Sequence, residues 1–485
     1  MEALLPVANV LGRLLMFFSA AYVLPIACSL LFHDGTARHF VVAMVLTLGA
    51  GLALTFATHR HYRELKVRDG FLLVTLSWLL MAAIATIPVM LVYTDMSFTN
   101  AFFEMMSAMT TTGATIMVGL DYAPQAINLW RHQLQWLGGM GIIVLAVAVL
   151  PLLGVGGMQL YRAEYPGPMK ESKLTARIAD TAKALYIIYF TLTGTCIVAL
   201  RVAGMDWFDS VCHGLSAVAL GGFSTRDASI GAWDSPAIEG VLVAFMMLAG
   251  VNFATHFHAW RGRSTRAYFI DTEARAFFLI TVASCVAVSG YLYATGTYDD
   301  FGTALRHGSF NLVSIALDSG YSSVDFAQWP IFAPLFMLFL SCILVSSGST
   351  GSGIKMVRTL VLFKQGLREL HRLLHPHITE LIKLGNIAVP NKVAFSVLGF
   401  IFLYFMTIVA VTFVLLLSGL DFLTAMSAAV SCVNNVGPGL GTVGPASNYG
   451  TLSDFQKWVC AGAMLLGRLE ILSVAVIFTR HFWRK

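Results

Sequence analysis

Charged residues are scarce in this chain: Asp, Glu, Lys and Arg make up 12% of its 485 residues, against 57% hydrophobic. A soluble domain carries about 25% charged residues, so a water-facing surface of ordinary composition is excluded. Cysteine offers no scaffold either. All seven (Cys28, Cys196, Cys212, Cys285, Cys342, Cys432 and Cys460) lie in apolar or small-residue runs, and none forms a CxxC pair. That pattern fits small buried side chains better than a disulfide framework or a zinc site. A nucleophile–base pair and a dinucleotide fingerprint are both missing, which argues against enzymatic activity. The glycine-rich stretch Ser346–Lys355 is not a phosphate loop: Gly353 is followed by Ile354, Lys355 and Met356, and no strand precedes it. The first apolar stretch, Leu4 to Phe32, has no convincing cleavage site and is long for a signal core, so it reads as a retained helix.

Long apolar runs are what the chain does have. Spanning a bilayer takes about 20 apolar residues, and ten candidate runs occur, at 4–32, 40–58, 71–94, 125–153, 180–203, 237–260, 273–296, 331–362, 393–418 and 455–482. Between them recurs a short skeleton: Ser107-Ala-Met-Thr-Thr-Thr-Gly113, Ser216-Ala-Val-Ala-Leu-Gly-Gly222, Ser314-Ile-Ala-Leu-Asp-Ser-Gly320 and Ser431-Cys-Val-Asn-Asn-Val-Gly437. Each has a serine six positions before its key glycine and a small residue twelve before it (Ala101, Ser210, Gly308, Ala425). Self-similarity of this kind means repeated copies of one unit. The apolar stretches before the glycines (99–111, 207–219, 302–317, 421–434) are too short to span and suit re-entrant half-helices. The expected fold is therefore an all-α polytopic membrane protein. An N-terminal two-helix hairpin (1–69) precedes four units of span, half-helix, loop and span (70–160, 161–262, 263–375 and 376–485).

Most of the 31 Lys and Arg fall in five segments, 58–69, 161–183, 258–275, 364–392 and 480–485, which join the units or end the chain. The alternate side holds Asp95, Asp121, Asp206, Asp299, Asp300 and Asp421. The positive-inside rule places the basic segments and both termini in the cytoplasm, with the glycine loops opening outward. The net charge of +5 is thus topological and implies no nucleic acid.

Non-helical backbone at membrane depth must line a cavity or be buried in protein. One glycine after a half-helix is ordinarily a C-cap. Four in register can ring an axis and turn carbonyls toward a dehydrated cation, with the half-helices aiming their negative C-terminal ends at the same point.

This pattern resembles the Trk, Ktr and HKT superfamily of potassium transporters, in which four M1–P–M2 units of one polypeptide form a pseudo-fourfold pore. The resemblance covers the whole chain. It implies potassium uptake across a bacterial inner membrane, with potassium as the transported ion and no organic cofactor in this chain. The filter glycines would be Gly113, Gly222, Gly320 and Gly437. Ion-facing carbonyls would come from Thr111 and Thr112, Leu220 and Gly221, Asp318 and Ser319, and Asn435 and Val436. Plant relatives with serine at the first filter position favour sodium, so four glycines imply a potassium preference. The 346–353 stretch would break the last span of the third unit alone and form a gate loop (Gly348, Ser349, Thr350, Gly351, Ser352, Gly353), the alternative being a tolerated kink. Arg468 would project into the ion path as an electrostatic barrier, or else pair with Glu470 or another buried acid. A homodimer is implied, as is a cytosolic ring of nucleotide-binding TrkA-type subunits docked on 161–183, 258–275 and 364–392. Coupled symport with protons or sodium stays open, and a membrane receptor or scaffold without transport is the distant rival. Glu104 has no acidic counterpart in the other units (His213, Asn311, Ala428) and is expected to anchor its half-helix. His371, His375 and His377 mimic a metal cluster, but Pro376 breaks their helical register and favours a solvated loop.

Overall fold

The computed structural model describes residues 4–61, 65–144, 174–378, 380–385 and 387–483. These residues are helical and irregular, apart from a minimal hairpin that pairs Lys383–Leu384 with Ile387–Ala388. Among the described residues, six helices are long and apolar enough to cross a membrane: Leu5–Phe32, Ala37–Ala57, Arg68–Val92, Ala182–Val202, Thr272–Ala294 and Asn391–Leu417. Two bent helix pairs bring the number to eight if each pair is one span.

The first two helices form the expected hairpin, and glycine decides how closely they cross. A Cβ on Gly12 would lie 2.9 Å from the Gly51 carbonyl, and one on Gly51 would lie 2.8 Å from the Gly12 carbonyl. In apolar surroundings helices associate through such close contact of small residues. Asn9 then donates to Thr55 O and Thr58 Oγ1 across the pair. The hairpin docks on the first unit: Tyr22 stacks on Trp130 at 4.6 Å, Gln133 Nε2 donates to Ala21 O, and Asp34 accepts the Ala126 N–H.

Each of the next four long helices leads into a short one: Val67–Val92 into Phe98–Met109, Leu174–Val202 into Trp207–Ala219, Thr272–Ala294 into Phe301–Ala316, and Asn391–Leu417 into Phe422–Asn434. The short helices run 12 to 16 residues, below what a span requires. All four start on a side-chain cap, Ser97, Asp206, Asp300 and Asp421, which accepts the N–H of Asn100, Asp209, Thr303 and Thr424. Hydrogen bonding to Thr424 holds the Asp421 carboxyl below its ordinary pKa. Asp300 stands further from its glycine than the other three caps, and the third short helix is correspondingly the longest.

The closing spans depart from expectation. Only the third was expected to break, and it does: Phe332–Ile343 ends, irregular chain follows, and Met356–Leu374 resumes. The second and fourth break as well. Pro236–Gly250 and Phe253–Gly262 meet at 96°, and Asp454–Arg468 and Leu472–Phe478 at 107°. In the second, the Asn252 side chain caps the Ala254 N–H and starts a new helix. The backbone groups freed at the break bond to the third unit instead: Gly250 O accepts Ser346 N–H, and Phe253 N–H donates to Gly348 O. In the fourth, Glu470 is left-handed (φ 52°) and tied to Arg358 at 2.7 Å. The closing helix of the first unit is described over Gln125–Val144; the rest of its expected run, and residues 62–64, 161–173, 379, 386 and 484–485 of the basic segments, lie outside the described residues.

The Gly12–Gly51 crossing makes a direct prediction. Gly51→Val places branched carbon where the facing backbone stands and should destabilise the protein by about 1–3 kcal/mol, read as a lower unfolding temperature in detergent. An unchanged temperature would mean that the hairpin contact is not close.

Candidate ion-conducting site

The four short helices end in one and the same way. Thr111, Leu220, Asp318 and Asn435 adopt left-handed backbone at φ 56°, 53°, 60° and 58°. Their N–H groups donate to the carbonyls of Ala108, Ala217, Ile315 and Cys432. The next residue in each case, Thr112, Gly221, Ser319 or Val436, donates to the carbonyl of the recurrent serine, Ser107, Ser216, Ser314 or Ser431. This is a Schellman cap repeated four times, with a non-glycine residue in the left-handed position each time. That conformation costs roughly 1–2 kcal/mol per residue and persists where the surroundings over-determine it. The cap and the filter were alternatives in the sequence. The caps are present, and each sits two residues before the key glycine rather than on it, so the two readings do not compete for the same residue.

The glycines follow at φ 79° (Gly113), 71° (Gly222), 89° (Gly320) and 101° (Gly437). A Cβ on Gly113 would lie 2.3 Å from Gly221 O. On Gly222 it would lie 1.7 Å from Ser319 O, on Gly320 2.1 Å from Val436 O, and on Gly437 2.7 Å from Thr112 O. These contacts run from the first unit to the second, third and fourth and back to the first. The four loops therefore close a ring, lined by the carbonyls of the residues before each glycine. Asn435 Nδ2 adds a side-chain bond across the closing seam, to Thr112 Oγ1 at 2.9 Å.

Directly against the ring lie Ser346–Lys355 and Arg468. Thr350 Oγ1 donates to Val218 O at the end of the second short helix, and Ser352 N–H donates to Asp318 Oδ2 at the end of the third. Arg468, 1% exposed, donates from Nη1 to Thr350 O at 2.7 Å and from Nη2 to Gly138 O at 3.0 Å. Gly138 itself abuts the end of the first short helix, where a Cβ would lie 2.0 Å from Met109 O. Loop and arginine together thus touch all four quarters. The two arms of the loop are pinned by Glu273, whose Oε1 accepts the N–H of Ser347 and of Val357, and Lys355 Nζ donates to Gly351 O. The expected alternative partner of Arg468, Glu470, pairs with Arg358 instead.

A TrkH family model, described as a cation transport protein, matches residues 37–485. The chain belongs to the TrkH family. It is 48% identical, over 99% of each chain, to the Trk system potassium uptake protein TrkH of Halomonas elongata, and 45% identical over the same shares to that of Vibrio parahaemolyticus. The crystal structure of the potassium transporter TrkH from Vibrio parahaemolyticus superposes with a TM-score of 0.91, at 42% identity and covering 99% of each chain.

Within this TrkH fold, each short helix also holds the irregular chain that follows its glycine, and each does so with different chemistry. Glu104 takes Thr115 Oγ1, the Ile116 N–H and Arg131 Nε (2.8 Å), with both charged side chains fully buried. His213 meets Ser224 Oγ at 3.0 Å. Asn311 accepts the Ser323 N–H and donates to its hydroxyl. In the fourth unit Ser427, beside the expected Ala428, accepts the Leu440 N–H. The anchoring role expected of Glu104 thus recurs in every unit, which residue identity concealed. Sequence reasoning also missed Arg131, His132 and Gln135 by treating 125–153 as a plain span. Their polarity in an apolar run was the available signal. Gly138 and Gly467 were missed too; a Cβ on Gly467 would lie 1.9 Å from Val433 O. His371 pairs with Glu380 at 3.0 Å, and no metal-binding group of three His, Cys, Asp or Glu occurs among the described residues.

Removing one partner of a buried ion pair strands the other charge and costs about 3–5 kcal/mol. Glu104→Ala should therefore lower the unfolding temperature sharply, and Glu104→Ala with Arg131→Met should recover part of the loss. Equal stability of the single and double variants would show that the pair is not what holds this loop.

Proposed function

We propose that the chain conducts potassium inward across a bacterial inner membrane, through a filter of backbone carbonyls at Thr111–Gly113, Leu220–Gly222, Asp318–Gly320 and Asn435–Gly437. The observation that carries this reading is the cyclic closure of glycine on carbonyl. Four left-handed caps followed by four positive-φ glycines bring each glycine against a carbonyl oxygen of the neighbouring loop. Carbonyl oxygens replace the hydration shell of a cation, and four helix C-termini converging there add negative potential. The potassium uptake named for the relatives supports the choice of ion.

Gly348–Gly353 and Arg468 act as the gate in its closed setting. The loop's bonds to the second and third units, with Arg468 of the fourth unit bridging from Thr350 O to Gly138 O of the first, support a plug under the filter rather than a kink. The four units are 70–160, 161–262, 263–375 and 376–485, and the hairpin 1–69 is accessory. Basic segments and both termini face the cytoplasm. There the basic segments 161–183, 258–275 and 364–392 receive a nucleotide-binding TrkA-type partner that opens the gate, and two copies of the chain associate, each with its own pore.

Two measurements test this. Gly113→Ser inserts a side chain where Gly221 O stands 2.3 Å away, and should lower potassium-over-sodium selectivity in liposome flux; an unchanged preference removes Thr111–Gly113 from the filter. Arg468→Ala deletes two charge-assisted bonds, each worth about 1.5–3 kcal/mol, and should raise rubidium tracer flux about tenfold or more. Unchanged or lower flux through correctly folded protein would overturn the gate reading.

A further inference from the structure

Among the described residues, the second filter loop is held in a way that the other three are not. Three residues on one face of the first unit's closing helix, Arg131, His132 and Gln135, capture three of its carbonyls. Arg131 Nη1 donates to Ser224 O at 3.3 Å, with its guanidinium 4.1 Å from the centre of the Phe223 ring. His132 Nε2 lies 3.0 Å from Phe223 O. Gln135 Nε2 donates to Gly221 O at 2.5 Å, while its Oε1 accepts the Ser216 hydroxyl at 2.5 Å and the Phe223 N–H at 3.3 Å. The amide orientation is not arbitrary: a backbone N–H can only donate and a carbonyl can only accept. Gln135 is fully buried, so no water competes for these bonds.

This contact explains a feature of the sequence that fourfold repetition does not. The residue before the key glycine is Thr112, Ser319 and Val436 in three units but Gly221 in the second. A Cβ on Gly221 would lie 2.5 Å from Gln135 Cδ and 2.6 Å from its Oε1. Gly221 is glycine because the carboxamide occupies the space that a side chain would need. Among the four carbonyls of the ring, Gly221 O therefore has its position set by a side chain of the neighbouring unit, and the same oxygen fixes how closely Gly113 can approach.

We infer that Gln135 is a specificity-determining positioning residue: by holding Gly221 O it sets the width of the ring between the first and second units, and with it the preference among alkali cations. The inference rests on the filter reading above. Gln135 need not touch the ion; it acts through one carbonyl.

The test uses full-length protein in planar bilayers, with permeability ratios read from reversal potentials under opposed potassium and sodium. Gln135→Glu keeps the volume and the two accepting contacts but loses the donor at neutral pH, so the potassium-over-sodium ratio should fall about fivefold, the worth of one hydrogen bond. Lowering the pH protonates the new carboxyl, restores a donor to Gly221 O and should recover the ratio. His132 and His213, 5.8 Å apart, are common to the native and variant proteins, so the native titration isolates the contribution of position 135. Gln135→Leu should show the same loss without recovery, and it serves as the non-titrating comparison. A ratio in Gln135→Glu equal to the native value at neutral pH, or equally reduced at every pH, overturns the inference. Gly222→Ser separates the two levels. If it shifts the ratio while Gln135→Glu does not, only the clamp falls; if neither shifts it, the filter reading falls and takes the clamp with it.

Discussion

Four places where backbone stands too close to backbone for any Cβ organise the rest of this structure. Gly113, Gly222, Gly320 and Gly437 each face a carbonyl of the next loop at a separation that only hydrogen on Cα permits. Once those contacts are imposed, the short helices must end at one depth, with left-handed caps that turn the chain sharply enough to reach the ring. Oxygen atoms gathered in this way repel one another, and the aligned helix ends add to the negative potential. On the filter reading proposed above, a cation on the axis would satisfy the arrangement.

The backbone is nearly fourfold and the side chains are not. The Schellman caps repeat bond for bond, whereas the irregular segments beyond the glycines are anchored by a buried ion pair, a histidine–serine contact, an asparagine and a serine. A loop needs its amide groups satisfied at membrane depth, and any polar group of the right reach can satisfy them. The requirement therefore constrains position and leaves chemistry free, which is how a ring repeated in one chain can diverge in sequence without losing shape.

Glycine also lets the closing spans enter the site. Gly138 and Gly467 bring their helices against the ends of the first and fourth short helices, close enough for Arg468 to bridge from one span to the other through the loop at Thr350. The bends after Gly250 and after Arg468 belong to the same construction. Breaking a helix frees amides, and those freed in the second span are taken up by the loop of the third. The glycine ring and the loop are thus one hydrogen-bonded body, and movement of the loop requires exchanging those bonds.

The sequence by itself determined the class of the protein, the hairpin, the four half-helices, the four glycines and the break at Ser346–Lys355. Each is written in local composition: apolar length, glycine, hydroxyl content and spacing. The polar residues of 125–153 were legible but unread, since nothing local says which loop Arg131, His132 and Gln135 will meet. The bends in the second and fourth spans were not legible, because Val251–Asn252 and Leu469–Glu470 are ordinary helix-compatible pairs whose breaks are stabilised by partners far along the chain. Only the tertiary structure decided that the loops close on one another, that Arg468 lies on two carbonyls rather than on Glu470, and that Gly221 makes room for a neighbouring glutamine. All three depend on the distance between units, a quantity that packing sets and spacing along the chain does not contain.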